Sequence, residues 1–339
     1  MKLEQLFGIE LPIIQAPMAG VQGSALAIAV SNAGGLGSLP CATLSTDAMQ
    51  QELNLLRSQT SKPYNVNFFC HTPPTPSIER ETAWRKLLAP YYERLGLDQS
   101  QITAGAARGP FNPEAADVLE EFRPAVVSFH FGLPAVDLLA RVKSWGSKIL
   151  CSATTVAEAR YLEEKGVDAI IAQGVEAGGH RGMFLTNDLT TQIDTFALVP
   201  QILAAVRAPV IAAGGIADAR GVAAALKLGA AGVQLGTSNI HRAALKSEAA
   251  RHTALTNLFT GRPARSIVNL FMRELGPINA LAPEFPLAAT ALGPLRTYSE
   301  SHGTGDFSPL WSGQNVSGCR EIPAAELTQH LMSELSFGA

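Results

Sequence analysis

The segment Pro209–Thr237, PVIAAGGIADARGVAAALKLGAAGVQLGT, limits what this chain can fold into more than any other. Val210–Ala213 is apolar and too short for a helix. Gly214-Gly215 ends it, and Asp218 is placed to cap a helix over Val222–Leu228. Gly229 stops that helix, and Gly232–Leu235 reads as a second strand running into Gly236-Thr237. Two parallel strands, each ending in a glycine turn with open backbone N–H groups, form an arrangement that receives a phosphate. In a (β/α)8 barrel such a site follows strands seven and eight. Counting strands from the N-terminus decides whether that description applies.

Pro12–Ala16 reads as the first strand, Leu36–Leu39 as the second, Tyr64–Phe69 as the third and Ala125–Phe129 as the fourth. Lys148–Cys151 and Asp168–Ala172 are the fifth and sixth, so the opening segment supplies the seventh and eighth. Helices are expected at Ser24–Asn32, Asp47–Ser58 and Val156–Lys165, the last opened by a Thr155/Glu158 capping box. The fold class expected is α/β, a (β/α)8 TIM barrel over residues 1–239. A doubly wound open sheet is the rival, disfavoured by the count of eight and by the lack of GxGxxG after the first strand.

Two segments exceed a minimal barrel. A polar insert at about 70–109 contains a charged helical stretch, Ile78–Leu95, which Pro90 is expected to break or kink near Ala89. After strand eight, residues 240–322 include a Pro-rich apolar loop, Pro277–Pro294, and SHGTGDFSPLWSGQN. This stretch is expected to be a lid over the catalytic face, with a structural appendage or an oligomer contact as the alternatives. Residues 323–339 should hold a helix, Ala324–Ser336, packed on the barrel exterior.

Composition sets the partners. Charged residues make up 16% and apolar ones 47%, a balance that suits a large buried core covered by helices. A formal charge of −3 without a Lys/Arg cluster argues against nucleic acid. The start MKLEQLFGIELP lacks a signal-peptide pattern, and no apolar run is long enough for a membrane span. Cys41, Cys70, Cys151 and Cys319 are scattered without a CxxC pair and read as reduced, mostly buried thiols. A cytoplasmic location is expected, and a homo-oligomer is compatible with it.

In a barrel, chemistry gathers at the C-terminal strand ends. Here those ends carry Gln15 to Met18, Gly37-Ser38, Asn67 to Phe69, Ser128 to His130, Ser152, Gln173-Gly174, Ala213 to Gly215 and Gln234 to Thr237. The set is short of charge, and nothing in it has metal-ligand spacing, so no metal is expected. Amides both donate and accept, so Asn67 and Gln173 suit a polar heterocycle such as a flavin, or else satisfy the core and a loop end. After strand six comes GVEAGGHRG, Gly174–Gly182, in which His180 sits among glycines at the catalytic rim. A neutral imidazole there can accept a proton or hydrogen-bond an anion. His130, ending strand four, is a second catalytic candidate, with a backbone-bonded buried histidine as the alternative. His71 opens what reads as a solvated loop and carries less expectation.

The motifs QAPMAG, NVNFF, VVSFHFG, AQGVEAGGHRG, PVIAAGGIADARG, GVQLGT and GTGDFSPLWSGQN cover nearly the whole chain. Through them it resembles the nitronate monooxygenases (2-nitropropane dioxygenases), and the bacterial class I group best. The resemblance implies an FMN enzyme that oxidises alkyl nitronates, such as propionate 3-nitronate, with O2 by one-electron transfer to flavin. It implies that Met18, Asn67, Gln173, Gly178, Gly179, Gly214, Gly215, Gln234, Leu235, Gly236 and Thr237 face FMN. The Gly-Gly and Gly-Thr turns would hold its phosphate. His180 and His130 would be catalytic, and Tyr298 would help close the substrate pocket. Two rivals stay open: an NAD(P)H-dependent quinone or enoyl-thioester reductase on the same scaffold, and a barrel binding a phosphorylated ligand without redox chemistry.

Overall fold

The eight apolar runs form eight parallel strands: Ile13–Gln15, Gly37–Pro40, Tyr64–Phe69, Val126–His130, Lys148–Ala153, Ala169–Gln173, Val210–Ala213 and Gly232–Leu235. The computed structural model describes residues 2–103, 108–236 and 242–333. Second to eighth, each strand pairs with the one before or after it in this order, and the eighth pairs with the first, Ile13 opposite Val233. A bridge between Ile14 and Leu36 closes the ring: Leu36 N–H donates to Ile13 O at 2.8 Å, and Gln15 N–H to Leu36 O at 2.9 Å. A closed, sequential, all-parallel order is a (β/α)8 barrel and excludes the open sheet.

Side chains alternate along each strand, and that alternation grades the interior. Val126, Leu150, Ile171 and Ile211 cluster with Leu36 and Ala169. Two residues further on stand Ser128, Ser152 and Gln173, and His130 follows Ser128 by two more. The interior therefore turns polar toward the C-terminal strand ends. The opposite end is plugged by a helix that sequence reading missed, Leu3–Phe7, whose Leu3 and Phe7 join the apolar cluster.

Helix starts follow their capping side chains. Ser45 accepts from Ala48 N–H and Asp218 from Gly221 N–H, opening helices Thr46–Gln59 and Ala219–Lys227. Asp194 accepts from Ala197 N–H and opens Thr195–Ala205, a helix between strands six and seven that was not foreseen. Only half of the expected capping box forms. Thr155 Oγ1 accepts from Glu158 N–H at 3.2 Å, but the Glu158 carboxylate turns to Thr154 N–H and to Phe184 and Leu185 N–H. Glu158 is fully buried, so satisfying the donors of the later loop outweighs the local reciprocal bond.

Three further expectations are corrected. Helix Ile78–Leu95 is not broken at Pro90 but runs on through it to Leu95. A proline inside a helix costs about 3 kcal/mol, whereas each large apolar side chain buried returns roughly 1.5–3 kcal/mol, and Trp84, Leu88, Tyr91 and Tyr92 are all buried. The latter half of the Pro277–Pro294 loop is helical, as the start of Ala288–Ser301, which carries Pro294 inside it. Tyr92 donates its hydroxyl to Ala291 O at 2.6 Å, and Trp84 Nε1 donates to Ala288 O at 3.3 Å. A solvated loop does follow His71, but His71 itself is buried, and its Nδ1 has no partner.

These contacts join the insert to the segment beyond strand eight. Trp84, Leu88, Tyr91 and Tyr92 share one apolar cluster with Leu258, Phe259, Phe271, Ala288, Leu292 and Leu295. A three-stranded sheet, Thr253–Thr256, Ala264–Ile267 and Gly179–His180, then ties this unit to the barrel mouth. The final helix, Ala324–Ser333 within the described residues, packs on Ser24–Asn32 and Ala219–Lys227. Among the described residues no helix is long and apolar enough to cross a membrane.

Candidate active site

The loop after strand six is fixed from both sides. Gln173 donates from Nε2 to His180 O at 3.0 Å and accepts from Gly182 N–H at 2.7 Å. Arg181 is fully buried and caps the strand end, donating to Gly174 O and Gln173 O at 2.7 Å each and to Gln192 Oε1 at 3.0 Å. From the far side, Arg181 N–H donates to Pro263 O, and Gly179 and His180 pair antiparallel with Arg265 and Ala264. The Gln173 amide is therefore engaged at both ends by the loop backbone. This was the alternative role read for it.

The two histidines are bonded in series. His130 Nε2 lies 3.2 Å from His180 O, a carbonyl that only accepts, so Nε2 carries the proton. His130 Nδ1 then accepts from Ser152 Oγ at 3.0 Å, and both ring nitrogens are occupied. His180 differs. Its Nε2 is 2.9 Å from Thr260 Oγ1, which also lies 3.4 Å from Arg262 O. A hydroxyl that donates to that carbonyl accepts from Nε2–H, leaving Nδ1 with an open lone pair. His130 thus positions the loop through the His180 carbonyl, while His180 Nδ1 has no partner among the described residues.

Aromatic rings surround His180. Phe69, Phe131, Phe285 and Trp311 lie with centroids 6.2, 5.9, 5.4 and 5.2 Å from its ring. Phe131 takes a φ of 71°, a strained conformation for an aromatic residue, and its ring packs on Phe69 at 4.8 Å. Over that ring, 4.0 Å from its centroid, stands the Arg262 guanidinium, which also donates to Met183 O. Burial, reinforced by the charges of Arg108 and Arg262, holds the His180 pKa well below its ordinary value. Burial pushes His130 down to about 3 and His71 to about 4, and Arg262 adds to both. All three imidazoles are neutral near pH 7.

The glycine turns meet a strap from the C-terminal segment. Gly214 and Gly215 take φ of 119° and 70°, and among the described residues the N–H groups of Gly215 and Ile216 have no acceptor. Asn315 Nδ2 donates to Gly215 O at 2.9 Å, and Gln314 N–H to Glu176 O at 3.0 Å. Gly178 lies directly beneath: a Cβ there would sit 2.6 Å from Gly313 N and 2.7 Å from Ser312 C. Both neighbours are backbone, so Gly178→Val is expected to lift residues 312–315 and destabilise the fold by about 1–3 kcal/mol. A melting midpoint equal to that of the parent protein would refute this.

The other foreseen residues are more dispersed. Asn67 donates to Ser128 Oγ at 2.9 Å and to Ser128 O at 3.2 Å, and beside it the Oδ1 of Asn65 is buried without a partner. Met18 lies next to Gly236, its Sδ 3.6 Å from where a Cβ would stand. Gln234 and Leu235 end strand eight half-buried, and Thr237 lies outside the described residues. Tyr298 stacks on His302 at 4.1 Å and makes none of the ring contacts that reach His180. Thr260, Arg262, Phe131, Phe285 and Trp311 were not foreseen. The positive φ of Phe131 has no sequence signature, and FTGRPAR carried no chemical motif to mark it.

Among the described residues no three His, Cys, Asp or Glu side chains gather as a metal-ligand group. The mouth of this barrel instead offers neutral imidazole, buried arginine charge and open backbone donors, which defines a barrel enzyme acting on a small molecule. The nitronate monooxygenase family model matches residues 1–334. The chain is 43% identical to a nitronate monooxygenase of Paraburkholderia phytofirmans over 97% of this chain and 93% of that one. It is 41% identical to that of Pseudomonas aeruginosa over 98% and 99%. A nitroalkane oxidase from Streptomyces ansochromogenes superposes with a TM-score of 0.88 at 38% identity, covering 99% of this chain and 98% of that one. The chain belongs to the nitronate monooxygenase family.

Proposed function

We propose that the enzyme oxidises alkyl nitronates, such as propionate 3-nitronate, with O2 to carbonyl compounds and nitrite or nitrate, and that it does so with FMN. The observation that carries this reading is His180, neutral, with an Nδ1 open among the described residues, inside an aromatic enclosure bearing positive charge. A nitronate is already a carbanion-like anion, so its site needs an anion-tolerant pocket rather than a strong base.

The residues present fit FMN. Gly215 and Ile216 offer free N–H donors at the start of helix Ala219–Lys227, which suits a phosphate. Toward the strand-three rim stands the Asn67 amide, which suits a heterocycle with N–H and carbonyl edges, and deeper in the barrel the Oδ1 of Asn65 is a buried acceptor without a partner. Met18, Gly178, Gly179, Gly214, Gln234, Leu235, Gly236 and Thr237 would complete the holding surface. Bound there, FMN supplies the electron-accepting chemistry. The chain's own work is placement: with Nε2–H held by Thr260, His180 Nδ1 takes a proton from a neutral nitroalkane; with the Thr260 hydroxyl turned to donate to Nε2, Nδ1–H hydrogen-bonds the nitronate oxygens, and the rings exclude water.

The test is direct. Purified protein should show a flavin absorbance spectrum, take up oxygen with propionate 3-nitronate, and be bleached anaerobically by the nitronate faster than by NADH. Rapid bleaching by NADH without reaction with nitronate would favour a reductase. A colourless protein that takes up no FMN would favour a non-redox phosphate-binding barrel.

A further inference from the structure

Four arginines at this mouth, Arg108, Arg181, Arg262 and Arg265, make no ion pair among the described residues, and of these Arg181 and Arg265 spend their donors on backbone carbonyls. Arg80, Arg94, Arg141 and Arg296, by contrast, are all paired. Arg262 uses one donor on Met183 O and lays its guanidinium over Phe131, and its Nε is buried without a partner. The carboxylate whose charge it feels is Glu158, but that group already accepts from Thr154, Phe184 and Leu185 N–H. Burial pulls the Arg262 pKa down to about 10, which leaves it charged at neutral pH. Arg108 is half-buried and shortly precedes Phe111, whose N–H donates to Phe69 O at 2.8 Å and ties this segment to the end of strand three, and its charge is the largest acting on His180. Two partly desolvated cations with no counter-charge are costly unless a ligand supplies one.

We propose that Arg262 and Arg108 are specificity-determining residues that receive a second anionic group on the substrate, a carboxylate a short chain away from the nitronate held at His180. The inference rests on the nitronate reading and adds the residues that would sort one nitronate from another. Two fixed positive charges match a dianion. A nitronate with an uncharged tail brings no carboxylate to either guanidinium and leaves both desolvated. Arginine is suited to the task, because its planar fork meets a carboxylate with two parallel N–H donors and it stays charged when buried.

The experiment compares propionate 3-nitronate with propyl-1-nitronate, the same chain without the carboxylate, in the FMN-loaded parent and in Arg262→Gln, Arg262→Lys and Arg108→Gln. The parent should prefer the carboxylated substrate by about tenfold or more in kcat/KM, as one charge-assisted pair allows. Each Gln variant should collapse that ratio, with the loss in KM rather than kcat, and Arg262→Lys should retain part of it. Calorimetry with succinate, an unreactive dianion of similar length, against butyrate reads the same preference without turnover. An unchanged substrate ratio with equal succinate and butyrate affinity in the parent would overturn the assignment. If neither nitronate is oxidised yet succinate binding is selective and lost in Arg262→Gln, the nitronate reading falls and the dianion site stands. Should Arg262→Gln fail to fold, Arg108→Gln decides, since among the described residues that half-buried side chain makes no hydrogen bond to lose.

Discussion

His180→Asn is expected to remain folded and to bind FMN, while its kcat/KM with a nitronate falls by about a hundredfold or more, the scale of a lost positioned imidazole. The loop survives because its anchors are backbone. His180 O still accepts from Gln173 Nε2 and His130 Nε2, and the ladder to Ala264 is untouched. The stability cost falls on the ring contacts with Phe69, Phe131, Phe285 and Trp311, at most about 1 kcal/mol each, and on the bond to Thr260. Neutral nitroalkanes should suffer more than nitronates, since only they need a proton removed. Turnover equal to the parent with both substrates would eliminate His180 as the group that meets substrate. Loss of the flavin spectrum would make it structural instead. His130→Asn serves as the contrast: both of its ring nitrogens are tied to protein, so that change should disturb the loop as well as turnover.

The contrast also marks where sequence reasoning reached and where it stopped. Strand count, strand order and the Asp218 cap are local signals: short apolar runs, glycine stops and one capping side chain within a few residues of its target. Those same signals put His180 and His130 at strand ends, so both were legible as rim residues. What separated their roles was not local. The proton assignment on His180 needs Thr260, 80 residues away, and the enclosure needs Phe285 and Trp311 from beyond the barrel. Pro90 and Pro294 misled for the same reason. Their helix-breaking tendency is local, whereas the packing of Trp84 on Ala288 and Tyr92 on Ala291 spans about 200 residues and outweighs it. Gly178 was legible as a loop glycine, but the strap pressed against it was not.

Acid should destabilise this protein early, and His71 is the clearest cause. It is 5% exposed, its Nδ1 has no partner, and it stands edge-on to Phe285 at 4.7 Å and Phe131 at 6.3 Å. Burial and the Arg262 charge lower its pKa to about 4, against an ordinary value near 6.5. The sign follows from proton uptake. Below pH 6.5 the unfolded chain binds a proton at this residue that the folded protein refuses until about pH 4, so stability is full above pH 6.5 and is lost as pH falls through that window. One such group contributes up to about 1.4 kcal/mol per pH unit, or about 3 kcal/mol across the interval. His71→Phe keeps the aromatic packing and removes the titration. Urea unfolding should therefore find it near the parent at pH 7.5 and more stable by about 3 kcal/mol at pH 4. Parallel stability curves for the two proteins would mean that His71 gains its proton in the folded state. The same desolvation keeps His180 unprotonated, so the enclosure that leaves Nδ1 open to substrate also makes the fold vulnerable to acid.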